Sequence, residues 1–352
     1  MADISQGFRD ELIQDLSGLR SDIDALEAKL FAASVIEPTP PPDTRVYETD
    51  PYGQATWLYE SRPSDIGPDP INGQAVSDLV NVNRLYYAQL TDGGETPPVY
   101  VASASDPFFT IAISGHALNG YQVRAPMNMR SGGGADYPLI VLDPYTRTEA
   151  RFWQARIDNF ALRITASSGG LFDYGPYGDG TPFRGNGVGC GLSYLPGLIR
   201  RADWERGEIN HALRFATRML GTGFRFPATR TDQGSQPYNV LGAVIPMGAR
   251  FYLDITPAEC DARTAPNASA ADLRLLRMIC HALREHGMYA ADGGGGVVLY
   301  MENEITAKWS TTGLTRRSGT FGWMIRPRGT LGGGQSATDG IPWDRLVMRK
   351  DA

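Results

Sequence analysis

The chain has 352 residues, of which 42% are hydrophobic and 20% charged, so it can bury a substantial core and is not a disordered polymer. A net charge of −6 with no basic run argues against a nucleic-acid partner held through phosphates, and no apolar stretch approaches the roughly 20 residues of a membrane helix. The 41 glycines and 24 prolines favour many turns and short strands over a helical bundle.

The first element is a helix with a narrow apolar stripe. Leu12, Leu16, Leu19, Ile23, Leu26 and Leu30 are spaced alternately by four and three. Leu16, Ile23 and Leu30 share one heptad position, Leu12, Leu19 and Leu26 the other, which is the seam of a coiled coil. Such a helix is marginal alone in water, so the stripe packs on sister copies or folds back on its own body. The strict heptad spacing and the linker that follows favour self-association, and a homotrimer is the expectation adopted. The sequence predicts an anchor helix over 1–34 and a proline-rich spacer over 35–43, where "EPTPPP" cannot continue a helix.

Residues 44–105 read as a small β-rich module, with "TRVYE" and "TWLYE" as strands, "GQAVSDLVNVNRLYYAQL" leaning to strand, and "TDGGETPP" as a turn. Residues 106–352 then read as the body. Runs such as "FFTIAIS", "YPLIVLD", "ARFWQARI", "ARFYLDI", "GVVLYME" and "FGWMIRP" are separated by Gly/Pro turns. The fold class predicted is mainly β, a β-sandwich or jelly roll with one or two short helices. One helix starts at a capping box of Ser269 and Asp272, buries Leu275, Leu276, Ile279, Ala282 and Leu283, and stops at Gly287. A second helix is predicted over Arg201 to Ala216, with Ile209, Ala212, Leu213 and Ala216 on one face.

An ordered series of motifs within Tyr137 to Asn303 resembles a family of surface-exposed or secreted bacterial proteins frequent in actinobacteria: "FWQAR", "LPGLIR" with "EINHAL", "FPAT", "IPMGAR" and "HAL" with "GMY". The resemblance implies a β-rich extracellular module in polysaccharide-associated settings, not a named reaction. The chain departs from the family in opening without a signal peptide and with the heptad helix. By analogy, a secreted-type module without an export signal fits a particle released by lysis, so the expected location is a virion surface, with a bacterial surface or the extracellular space as the alternative.

For ligands, Asp173, Tyr174, Tyr177 and Asp179 combine aromatics with carboxylates in a glycine-rich loop, a composition suited to sugars, although a plain surface loop accounts for it too. Trp153 and Gln154 are a second candidate pair, against the alternative of a core tryptophan on a strand. Carboxylates are plentiful, among them Glu149, Glu208 and Glu302, but no pair can be singled out for the spacing that glycoside hydrolysis needs. His281 and His286 are five apart on one helix and do not share a face as a zinc pair, so neither metal nor cofactor is expected. Cys190, Cys260 and Cys280 are too few for a disulfide framework; reduced thiols are expected, with one bridge possible. "GNGVGCG" reads as a tight turn, and "DGGGG" precedes a strand, not a helix, so neither is a phosphate loop.

These features suggest a phage spike or tail fibre. Its helix docks on other virion proteins and its body binds cell-surface glycan. The alternatives are a polysaccharide-cleaving enzyme that uses two carboxylates, and a ligand-free decoration protein.

Overall fold

The computed structural model describes residues 52–53, 55–63, 89–91, 94–175, 178–231, 245–294, 297–317, 321–325 and 337–349. The heptad leucines, the proline spacer, most of 44–105 and Tyr177 lie outside the described residues.

The body is mainly β. Strands β1 (Gln89–Thr91), β2 (Val99–Val101), β3 (Phe108–Ala112), β4 (Gln122–Arg124), β5 (Leu139–Asp143), β6 (Thr148–Trp153), β7 (Arg156–Asp158), β8 (Arg163–Thr165), β9 (Ser168–Asp173) and β10 (Pro182–Gly185) come first, after a short helix α1 (Thr56–Tyr59). There follow α2 (Arg201–Arg206), β11 (Leu213–Thr217), β12 (Leu220–Phe224), β13 (Ile245–Met247), β14 (Arg250–Leu253), α3 (Pro257–Asp261), α4 (Ala270–Glu285), β15 (Met288–Gly293), β16 (Val298–Tyr300), α5 (Glu304–Ala307) and β17 (Leu346–Met348).

Two sheets form a sandwich, in the orders β10-β9-β6-β5-β2 and β4-β3-β8-β7. Their shared core comprises Phe109, Ile111, Val123 and Ile164 from one sheet and Leu139, Val141, Ala150, Phe152 and Leu171 from the other. Because side chains alternate along a strand, Ile140, Leu142 and Val99 point the opposite way and join the main core. The first sheet is therefore covered on both faces, which is why β5 reads "LIVLD" without a polar break before Asp143.

The main core lies around a mixed sheet in the order β1-β16-β11-β15-β14-β17, with α4 packed against it. Helix α4 forms as its sequence dictates. Ser269 accepts from the Asp272 amide in a reciprocal capping box, and Leu275, Leu276, Ile279, Ala282 and Leu283 are buried. The helix ends before Gly287 at φ 72°, where an added Cβ would meet the Phe251 carbonyl oxygen at 2.4 Å.

Three local expectations are corrected. The predicted helix from 201 stops at Arg206, because Gly207 turns left-handed at φ 90°, and Leu213–Thr217 is a strand buried throughout. "TWLY" is a helical turn, with Trp57 and Leu58 buried against the main core, and "GWMI" is a 3-10 turn. Strand β1 pairs with β16 and β2 pairs with β5, so residues 89–91 and 99–101 share their sheets with later strands. The pairs β1–β16, β11–β15 and β2–β5 are parallel. The chain between β11 and β15 includes α4, and the chain between β2 and β5 includes the β3–β4 pair, so these strands return in the same direction.

Candidate functional site

Strand β6 positions the site. Its sequence "TEARFW" alternates, so Ala150 and Phe152 enter the sandwich core while Glu149, Arg151 and Trp153 share the opposite face. That face looks onto a junction where β11 brings Arg214, β15 brings Tyr289 and Asp292, β16 brings Tyr300, and the loop after β10 brings Ser193 and Tyr194. Above the buried part of the junction opens a cleft of about 610 Å³, lined by Arg151, Trp153, Tyr194, Arg230 and the carboxylates Glu95, Asp136 and Asp292.

The indole of Trp153 is held in place: its N–H donates to Asp136 Oδ1 at 2.9 Å. Beneath it the Arg151 guanidinium lies 5.3 Å from the centre of the Tyr194 ring, and the Arg214 guanidinium lies 5.0 Å from that same ring. Arg214 is completely buried and donates to the Ser193 carbonyl at 2.8 Å. Arg230 donates from Nη2 to the carbonyls of Gly187 and Val188 at 3.0 and 3.2 Å. Among the described residues Arg151 reaches only the Asn186 carbonyl, at 3.5 Å, and its buried Nε has no hydrogen-bond partner. Burial lowers the pKa of Arg151 against the opposing effects of Tyr194 and Asp292, and the positive charges of Arg230 and Arg214 act in the same direction as burial.

Glu149 sits below the cleft, wholly enclosed, hydrogen-bonded to Ser193 through Oε1, with Oε2 unpartnered. Burial pushes its carboxyl up to about 8, against the opposing effects of the Ser193 hydrogen bond and of Arg151, Arg200 and Arg214. Among the described residues no guanidinium makes a salt bridge to it, so desolvation wins and the acid is neutral at pH 7. Burial likewise raises Tyr194, which lines the cleft, and Tyr289 and Tyr300 nearby, and pushes Cys190 up to about 11, so none of these groups is an anionic phenolate or thiolate at neutral pH.

Of the six expected ligand residues, the five that are described do not converge. The β6–β9 register sets Trp153 opposite Ser168 and Asp173 opposite Thr148. Five strand steps of about 3.4 Å separate the two ends, roughly 17 Å. Trp153 lines the cleft, while Gln154, at φ 56°, turns away to bond Ser167 and the Ala135 carbonyl. Tyr174 is 1% exposed and packs edge-on against Tyr52, so it is a core residue. Asp173 is exposed at the end of β9, and Asp179 closes a local turn by accepting from Thr181. Arg151, Arg230, Asp136 and Asp292 went unnoticed in the sequence. The available signal was the alternation of Glu149 and Arg151 with Ala150 and Phe152 inside one strand.

His211 is a satisfied buried group between the Ala212 carbonyl and Asp203, and His281 pairs with Asp261 at 2.8 Å. The three thiols are free and buried. No helix among the described residues is long and apolar enough to cross a membrane. No family model, curated protein or solved structure matches this chain.

Proposed function

We propose that the cleft beside β6 binds cell-surface glycan. The observation that carries this is Trp153, fixed through its indole N–H to Asp136 in a cleft that also presents carboxylates and guanidiniums. A fixed flat ring offers a surface to sugar C–H groups, and the charged groups around it bond hydroxyls. The test is a glycan array probed with the purified protein and with Trp153→Ala. Hits that vanish in the variant support the proposal; hits that persist place binding elsewhere, and an array without hits favours a ligand-free decoration protein.

The biological setting is part of the same proposal. The heptad leucines would form a coiled coil that assembles the chain as a homotrimer and docks it on other virion proteins, with the body displayed at the virion surface. Display in several copies would turn weak single sites into useful avidity. A second reading, hydrolysis of the bound polysaccharide, is favoured by one feature: Asp136 and Asp292 line the same cleft. Release of reducing ends that stops in Asp292→Asn would establish it, and binding without release would dismiss it.

A further inference from the structure

We infer that the floor of the cleft is a seat for a carboxylate, so that the glycan it takes is an acidic one carrying uronic acid residues. This rests on the glycan-binding proposal and narrows it to a substrate class.

Arg151 and Arg230 line the same cleft, and among the described residues neither is engaged in a salt bridge. Arg151 is 4% exposed, meets one backbone carbonyl at the limit of hydrogen-bond distance, and leaves a buried Nε with no acceptor. A buried guanidinium without a salt bridge is costly; Tyr194 and the Asp292 carboxylate across the cleft offset part of that cost, while two further cations, Arg230 and Arg214, add to it. Among the described residues Arg230 commits only Nη2 to the protein. The floor thus presents forked donors that a planar carboxylate matches, and an anion placed there relieves both the unmet donors and the mutual repulsion. Glu149 does not supply that anion, because it is enclosed below the floor and protonated at neutral pH.

The wall composition selects the kind of anion. Glu95, Asp136 and Asp292 also line the cleft, and they repel a dianionic phosphate more strongly than a single carboxylate. The same three groups accept hydrogen bonds from sugar hydroxyls, and Trp153 lies beside them for the ring. One site therefore holds a feature for each part of a uronate: guanidiniums for the carboxylate, carboxylates for the hydroxyls, indole for the C–H face.

The experiment is calorimetric titration of the full chain with fragments of polygalacturonate, alginate and hyaluronan. Each is compared with its carboxyl-reduced neutral form, and carrageenan fragments, which carry sulfate and no carboxylate, are titrated alongside. Three variants are run: Arg230→Gln, on an exposed residue, Arg151→Lys, which keeps the charge but loses the fork, and Trp153→Ala. Circular dichroism confirms that each is folded. The expected result is at least one uronate ligand bound at least tenfold more tightly than its reduced form and than carrageenan, with that preference removed by Arg230→Gln and weakened by Arg151→Lys. Equal affinity for acidic and neutral forms, unchanged by Arg230→Gln but lost in Trp153→Ala, overturns the carboxylate seat and leaves glycan binding standing. Tighter binding of carrageenan overturns the choice of carboxylate. No binding to any fragment, acidic or neutral, removes both proposals.

Discussion

Replacing Glu149 by glutamine tests the electrostatics beneath the cleft. The carboxyl is held at about 8 in the fold against an ordinary 4.5, chiefly by burial. A raised folded-state value for an acid means that the unfolded chain loses its proton first as pH rises. Stability therefore falls between about pH 4.5 and 8, by up to ~1.4 kcal/mol per pH unit, and is level above that window. Over the whole interval this one group takes away about 5 kcal/mol. Glutamine keeps the shape and can hydrogen-bond Ser193, and it has no proton to lose. Glu149→Gln is thus expected to match the parent within about 1 kcal/mol at pH 5 and to exceed it increasingly, by about 2–3 kcal/mol more at pH 7. Urea unfolding followed by tryptophan fluorescence at pH 5, 6, 7 and 8 measures the difference. A variant that is weaker by about 3–5 kcal/mol at every pH would show an ionised Glu149 paired with the surrounding arginines, and would refute the neutral acid.

Trp153→Ala is expected to weaken glycan binding at least tenfold while leaving the fold intact, measured by titration and by circular dichroism. Tyr174→Ala should do the reverse, costing about 3–5 kcal/mol in urea unfolding because Tyr174 is 1% exposed against Tyr52, with no selective effect on binding. Gly287→Ala should lower stability by about 2 kcal/mol or more, since the residue sits at φ 72° with the Phe251 carbonyl 2.4 Å from the new Cβ; a melting temperature equal to the parent's would contradict this. For the proposed stalk, the solution mass of the full chain is compared with that of a chain beginning at Pro42. A trimer that becomes a monomer supports assembly through the heptad leucines, and an unchanged mass favours a fold-back helix.

Local chemistry was the part of this fold most legible in the sequence. Ser269, Asp272 and Gly287 marked α4 because capping and helix termination are decided by near neighbours. The β-rich class showed in the short runs between Gly/Pro turns, most of which are strands. The segment 213–217 misled because "LRFAT", in a strand covered on both faces, loses the alternation that distinguishes strand from helix, and only Gly207 marked the break. The site was legible in Trp153 alone. Asp136 meets Trp153 across the β5–β6 hairpin, whereas Arg230 and Asp292 join from distant segments through sheet topology, and spacing along the chain holds no trace of their meeting. Tyr174 looked like a sugar platform because its neighbours are glycines and aspartates, but the edge-on contact with Tyr52, more than 100 residues earlier, commits it to the core.

A crystal structure of the body with a bound uronate oligosaccharide would examine the cleft itself. A sugar ring lying against Trp153 with its carboxylate between Arg151 and Arg230 is the outcome predicted. Ordered saccharide elsewhere on the sandwich, with the cleft left to solvent, would contradict it.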